Sequence, residues 1–566
     1  VRGPTDGVAF NNHDLRSETG RSRCTTVTCR STTNDYHPGQ HPYEGSDGPF
    51  RIGCLTVNTE NASEAPEQNP QPGRAGNILI ALGCAVVVVG VVLRFVAPSP
   101  LWLDEALSVH ITQGQMPLTD ALRQDGHPAL YYLLLGWWID LFGESDVAVR
   151  SLSGVFGLLT LISLGAAGRR YGRTLAGTLV VIAASSPFLI GYSVEARMYS
   201  LVTLLVASGF WALQRAWDRP NFANLTLVAV LAALAVHTHY WLTLMIVAAA
   251  LTTIEAARRR GEIGKAVRPV AALAVGSATL VIWLPILFAQ LAHTGTPWAT
   301  RARPAEIFIE TLQALGGSTR FEGEALGLAL SVLILIGAFA IAPLSAVPMT
   351  LSARFENSVA APAAAIIIGL GLATGIGFAA GSGFEPRYAS IVTPLLLLLA
   401  ARGIQMLGKP VGTVALVAIV VLGLAVSTDN LRRDRSQGQE AAEWINGAVA
   451  AGDIVLFCPD QVGPATVRYL NTDVERRAYP TGDGYVVDWR DYLETAASID
   501  PVQFARAAST ATGDGTIWLV QGTGYHLIDP SCALLAAELS NLRPMEGCVP
   551  FRPVFEHMSV FRFPAS

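Results

Sequence analysis

Between residues 75 and 427 one apolar stretch follows another with only short polar interruptions, which restricts the chain to a bundle of helices in a bilayer. Residues 75–97 read AGNILIALGCAVVVVGVVLRFVA. That is enough to cross a hydrocarbon layer ~30 Å thick, which takes about 20 apolar residues. Comparable stretches cover roughly 147–168, 174–192, 198–216, 222–238, 240–257, 269–290, 325–346, 359–381, 387–404 and 410–427, so about eleven transmembrane helices are expected. Phe222 to Glu255 is too long for one crossing and reads as two short helices. With 51% hydrophobic and 15% charged residues, the composition excludes a water-soluble globular protein. A net charge of -5 gives no basic excess with which to neutralise phosphates, so nucleic acid is not an expected partner.

Residues 128–142, PALYYLLLGWWIDLF, are apolar but about one turn too short to cross, and read as an interface helix. The basic loop residues then fall on one side: Arg169, Arg170, Arg173, Arg219, Arg258, Arg259, Arg260, Lys265, Arg268, Arg354 and Lys409. The positive-inside rule makes that side the cytoplasm. A multi-pass plasma-membrane protein is expected, with its N-terminus inside and its C-terminus outside. Residues 1–74 are polar, rich in Thr, Asn, Gly and Pro, and read as a disordered cytoplasmic tail. Residues 431–566 change character: QEAAEWINGAV and SCALLAAELSN read as helices, DIVLF, TIWLV and RPVFEHMSVFRF as strands. A small extracytoplasmic α/β domain is expected there. The seven cysteines form no metal-binding pattern. In an oxidising compartment Cys532 and Cys548 form a candidate disulfide, with two free thiols as the alternative.

In this topology unusual polar groups collect at the outer helix ends. LWLDEALSVH and DGHPALYYLLL supply Asp104, Glu105, His110, Asp125 and His127. YSVEARMYSL supplies Glu195, Arg197 and Tyr199, HTHYW supplies His237, His239 and Tyr240, and GFEPRYAS supplies Glu385, Arg387 and Tyr388. Taken singly, each has an ordinary alternative: an interfacial anchor for the acidic pair beside Trp102, local ion pairs for Glu195–Arg197 and Glu385–Arg387, and a packed core histidine for His237. Their convergence on one face favours a common cavity.

Such a set suits transfer of a sugar from a lipid phosphate. A carboxylate beside the acceptor hydroxyl acts as general base. Arginines neutralise the leaving phosphate through forked hydrogen bonds that lysine does not match. A second carboxylate and a histidine, Glu105 and His239 being the candidates, would hold an optional divalent cation on that phosphate. One base opposite the leaving group gives inversion at the anomeric carbon.

The ordered motifs LWLDEALSVH, HPALYYLLL, VEARMYSL, THYW and EPRY, spread over roughly residues 75–430, resemble the GT-C membrane glycosyltransferases. The branch in question contains protein O-mannosyltransferases, lipid A aminoarabinose transferase and bacterial homologues. The resemblance implies a GT-C transmembrane catalytic domain over 75–430, a polyprenyl-phosphate-linked sugar donor, and inverting transfer of a hexosyl or pentosyl unit on the extracytoplasmic face. It implies Asp104 as catalytic base with Glu105 beside it, and Arg197, Arg387 and Tyr388 at the donor phosphate. His127, Glu195, Tyr199, His239 and Tyr240 are expected as supporting residues from the same outer clusters. Family members often carry HPP where this chain has His127, Pro128 and Ala129, a departure that bears on loop rigidity. A glycan, a lipid or a protein remains open as acceptor. The competing reading is a lipid-linked sugar flippase or other secondary transporter, although no repeated halves are found and the polar groups cluster at one surface. A ligase or polymerase using a pyrophosphate-linked donor would keep the same topology.

Overall fold

A computed structural model describes residues 74–565 apart from 115, 295–302, 342, 344–350, 353, 381–384, 525–527, 551 and 553. The tail expected over 1–74, with Cys24, Cys29 and Cys54, lies outside the described residues save for Arg74, which opens the first helix. Each of the eleven apolar stretches contains a helix among its described residues. Among the described residues seven helices are long and apolar enough to cross a membrane, or eight if the bent pair Arg173–Ser185 with Pro187–Ser193 is one span. Phe222–Val236 and Thr393–Leu407 have 15 residues each, about 22 Å at 1.5 Å per residue, and Tyr199–Asp218 carries Arg215 and Asp218 in its last turn. By length and composition alone, up to eight crossings are counted among the described residues, against the about eleven expected. Leu130–Phe142 is a helix of 13 residues, too short to span, as expected for an interfacial segment.

The first helix, Arg74–Leu93, keeps Ile78, Leu79, Ile80 and Val88 exposed, a surface that hydrocarbon rather than water solvates. It approaches the bent pair so closely that a Cβ on Gly90 would lie 2.1 Å from the Ala184 carbonyl oxygen. The bend of 58° arises where Pro187 has no N–H to continue the ladder. Carbonyls freed there accept from Arg94, which is fully buried and donates to Ala184 at 3.0 Å and Ala183 at 2.8 Å. In a medium without water such a partner is obligatory.

At one end of the bundle the chain builds a five-stranded mixed sheet. Strands β1 (Ile454–Cys458), β2 (Glu475–Ala478), β3 (Ile517–Gly522), β4 (Cys548–Val549) and β5 (Met558–Phe563) run in the order β2-β1-β3-β5-β4. β1 is parallel to β2 and β3, and β5 is antiparallel to β3 and β4. Side chains alternate between faces with the strand period of two. Val455, Phe457, Trp518 and Val520 pack with Ala441 and Ile445 of helix Gly438–Asn446. Leu456, Cys458, Ile517 and Leu519 face the other way, where Trp102 and Leu103 from the helical region complete their cluster. The sheet is thus built onto the bundle, and residues 72–566 form one compact unit.

The expected Cys532–Cys548 bridge is not formed. Cys532, in the first turn of Asp529–Leu542, bonds to Cys458 at the end of β1, across 74 positions and with a Cα–Cα separation of 5.5 Å. Both are fully buried, whereas Cys548 sits exposed on the short edge strand β4. Nearness in sequence misled here because the parallel β1–β3 crossover brings the distant Cys458 under the helix. Replacing Cys458 and Cys532 together by Ser is expected to cost about 2 to 4 kcal/mol of stability, as for a bridge closing a long loop. Cys548→Ser should leave the thermal unfolding midpoint unchanged. An equal loss in both variants would contradict the pairing.

Candidate active site

Helix Leu103–Gln113 starts immediately below the sheet, and its first turn carries Asp104 and Glu105, where unpaired backbone N–H groups favour negative charge. The two carboxylates have different fates. Glu105 is fully buried and takes a bidentate ion pair from Arg150 (Nε to Oε1 2.7 Å, Nη2 to Oε2 2.6 Å). Its Oε1 also accepts the Ala196 N–H at 2.9 Å. The remaining donors of Arg150 go to the carbonyls of Ala97, Ser99 and Pro100. Glu105 therefore ties helix Asp146–Gly168, the chain before Asp104 and the turn at Ala196 into one piece.

Asp104 points the other way and keeps 17% of its side chain exposed. Its Oδ2 accepts from Arg387 Nη1 at 3.1 Å and lies 3.8 Å from Arg197 Nε. Arg197 stands in a tight turn in which its N–H reaches the Glu195 carbonyl at 2.8 Å, between Pro187–Ser193 and Tyr199–Asp218. Arg387 stands on a 3-10 turn, Pro386–Ile391, created because Pro386 holds Glu385 in extended backbone and Pro394 restarts the helix. Arg197 Nη1 donates to Ser108 Oγ at 3.1 Å and Tyr132 Oη at 3.4 Å. The Nε atoms of both arginines are buried and have no hydrogen-bond partner among the described residues. Two orphaned cationic donors thus flank one carboxylate.

The anticipated local pairs do not form among the described residues. Glu195 turns to Arg435 of the C-terminal region at 2.8 Å, and the guanidinium of Arg387 goes to Asp104. Around the arginines runs a series of rings: His127 and His239 at 6.0 Å, His239 and Tyr199 at 6.1 Å, His239 and Tyr388 at 5.8 Å, and Tyr388 stacked on Trp241 at 4.8 Å. His127 Nδ1 meets Asp125 Oδ2 at 2.8 Å, and that oxygen also accepts from Tyr132 at 2.5 Å. Burial pushes the Asp125 carboxyl up, but His127, Arg197 and these hydrogen bonds outweigh it and hold the pKa at about 2. Burial first, then the charges of His127, Arg197 and Arg387, drives the His239 ring well below the usual imidazole range and keeps it neutral.

Residues 126–288 match the sequence profile of the family described as dolichyl-phosphate-mannose-protein mannosyltransferase. ArnT from Cupriavidus metallidurans in the apo state superposes with TM-score 0.54 at 13% identity, over 86% of this chain and 98% of that one. The same protein bound to undecaprenyl phosphate gives TM-score 0.51 at 12% identity, over 87% and 98%. The chain thus carries a region like that family's within a fold like that of ArnT. At these identities the likeness to solved structures concerns the fold. The arabinofuranosyltransferase AftD from mycobacteria gives TM-score 0.47 at 16% identity, over 86% of this chain and 40% of that chain. No curated protein matches the chain by sequence.

The profile match includes His127, Glu195, Arg197, Tyr199, His239 and Tyr240 but neither Asp104 nor Arg387, which the fold supplies from outside it. Tyr240 is drawn into the scaffold, donating to Gln290 and accepting from Trp283 at 2.8 Å. His237 meets Thr279, and His110 stacks on Tyr485 at 4.0 Å, so both serve packing between elements. The pairing of Glu105 and His239 as cation ligands does not fit: Glu105 is saturated by Arg150 and Ala196, and His239 faces cations. No group of three metal-ligating side chains stands together among the described residues. Sequence reading missed Arg150, whose signal was an arginine inside an apolar stretch. It also missed Arg435, Tyr469 and Glu556, which carry no local signal.

Those last three hold the residues preceding Asp104. The Leu101 N–H donates to Tyr469 Oη at 2.8 Å and the Leu103 N–H to Glu556 Oε1 at 3.1 Å. Trp102 lies between Phe555, edge-on at 5.2 Å, and the Arg435 guanidinium at 5.0 Å. Asp104 is thus gripped from the sheet on one side and through Glu105 and Arg150 on the other.

Proposed function

We propose that this protein is an inverting glycosyltransferase that moves a hexosyl or pentosyl unit from a polyprenyl-phosphate donor to an acceptor hydroxyl of a glycan, lipid or protein. Transfer takes place on the extracytoplasmic face, where the positive-inside rule puts the sheet and the C-terminus. The observation that carries the reading is the pair of buried, unpartnered Nε–H groups of Arg197 and Arg387 on either side of Asp104. A phosphate oxygen satisfies such donors with charge-assisted hydrogen bonds. The undecaprenyl phosphate bound by the structurally similar ArnT and the dolichyl-phosphate donor in the family description support the donor class.

In the reaction the acceptor O–H gives its proton to an Asp104 carboxylate oxygen as its oxygen bonds to the anomeric carbon. The bond from that carbon to the donor phosphate oxygen breaks with its electron pair, and the polyprenyl phosphate leaves as an anion against Arg197 and Arg387. Attack opposite the leaving group inverts the anomeric centre. Glu105 is a positioning residue in this scheme, and the rings of Tyr388, Tyr199, His127 and His239 lie beside the arginines. No step passes through a metal ion, since the candidate ligands do not fit one.

The test is transfer of labelled sugar from a polyprenyl monophosphate donor by the full chain in reconstituted vesicles. Wild type is expected to consume donor and release polyprenyl phosphate. Movement of donor across the bilayer with no sugar transferred would establish the transporter reading instead. Arg387→Lys keeps the charge but loses the planar fork, at a cost of about 1 to 3 kcal/mol, roughly five- to 150-fold in donor-dependent rate. Wild-type donor dependence in that variant would remove Arg387 from the phosphate site.

A further inference from the structure

A cavity lies apart from the residues around Asp104. It is an apolar cleft of ≈ 470 Å³ between helices Tyr199–Asp218, Phe222–Val236, Trp241–Arg259 and Ala360–Ala380, a size that suits a small ligand or a lipid chain. Its walls are aliphatic, with Val206, Gly209 and Phe210 facing Met245 and Ile246. At the end away from the sheet its lining turns polar and basic, with Arg170, Gln214, Trp217, Arg259 and Arg260. Trp217 lies 18 residues along the same helix from Tyr199, about 27 Å at the helical rise, so this mouth is remote from the Arg197–Arg387 cradle.

Three features of that mouth specify an occupant. The connections at residues 169–173, 215–219 and 255–268 carry ten arginines and lysines against three carboxylates. The partners that are present leave cationic surplus: Arg170 pairs with Asp218, Arg258 and Arg259 share Glu255, and the Arg260 guanidinium lies 5.4 Å over the Trp217 ring. Gln214, half-buried in the lining, adds a polar amide at the same end. Basic groups and an aromatic at a bilayer edge, opening onto a dry groove, match a molecule with an anionic head and apolar chains.

We infer that this cleft is a binding site for an anionic glycerophospholipid of the surrounding leaflet. Its phosphate lies against Arg170, Arg260 and Gln214, and an acyl chain runs along Gly209 toward Met245. The site is separate from the donor site proposed above and does not depend on that assignment. It gives the four helices a common filler where protein side chains leave space, and makes their packing sensitive to the lipid around them.

Gly209 provides a way to test the groove independently of its charges. A Cβ added there meets no atom within 4 Å, so Gly209→Leu fills the cleft without displacing protein atoms next to that carbon. The full chain is purified in detergent, and binding of dioleoyl phosphatidylglycerol and dioleoyl phosphatidylcholine is compared by native mass spectrometry. Wild type should retain phosphatidylglycerol in preference to phosphatidylcholine. Arg170→Gln with Arg260→Gln should weaken that preference about tenfold or more, the scale of two arginines facing an anionic headgroup. Gly209→Leu should lose bound lipid while unfolding at the wild-type temperature, and Gly209→Ala serves as the milder substitution if Leu disturbs folding. Equal retention of the two lipids by wild type, or undiminished phosphatidylglycerol binding in folded Gly209→Leu, would overturn the assignment. Displacement of phosphatidylglycerol by added polyprenyl monophosphate, itself blocked by Gly209→Leu, would overturn it too, by giving the groove to the donor.

Discussion

Asp104→Asn is expected to lower sugar transfer by about 100-fold or more, the scale of losing a general base, while donor still binds. The amide keeps the volume of the carboxylate and an oxygen toward Arg387 Nη1, 3.1 Å away in the wild type, but it does not accept the acceptor's proton. Donor affinity should hold or rise, because the counter-ion competing for Arg197 and Arg387 is gone. The variant therefore separates binding from chemistry, measured as donor retention against transfer in the same vesicles. Transfer near the wild-type rate would end the base assignment. Loss of donor binding together with transfer would point to a recognition role for Asp104.

Glu105→Ala should act on stability first. It removes one partner from a buried bidentate pair and leaves the Arg150 charge, 5% exposed, without a counter-ion. Breaking such a pair typically costs about 3 to 5 kcal/mol. The Ala196 N–H also loses its acceptor. A large fall in the unfolding midpoint in detergent is expected. Glu105→Gln, which keeps an acceptor for Ala196, should fall less. An unchanged midpoint in Glu105→Ala would show that the pair carries no such weight.

These two neighbours mark how far the sequence could be read. Apolar length located stretches that each contain a helix among the described residues, because lipid leaves the backbone few alternatives. It did not find the breaks at Ser186 and Val392, which depend on Pro187 and Pro394 and on carbonyl partners elsewhere. The polar motifs were visible as motifs, and Asp104, Arg197, Arg387, His127, His239 and Tyr388 do come together. Adjacent acidic residues looked alike, yet a helix points successive side chains about 100° apart, and that rotation sends Glu105 into the scaffold. A local ion pair with Arg197 was the ordinary alternative for Glu195, but its partner lies 240 positions on, at Arg435. The same blindness to distance produced the wrong cysteine pair. Where the contact is long-range, no local pattern records it.

The clamp on the acidic turn also has a consequence in time. Leu103 emerges early during synthesis, whereas Glu556, which receives its N–H, is made 453 positions later. Tyr469 and Arg435, which hold Leu101 and Trp102, also follow only after the whole helical bundle has been made. A nascent chain, or one cut short within the bundle, thus carries its acidic turn without these restraints. Insertion of the helices into the membrane and fixing of the acidic turn become separate events in the life of the molecule.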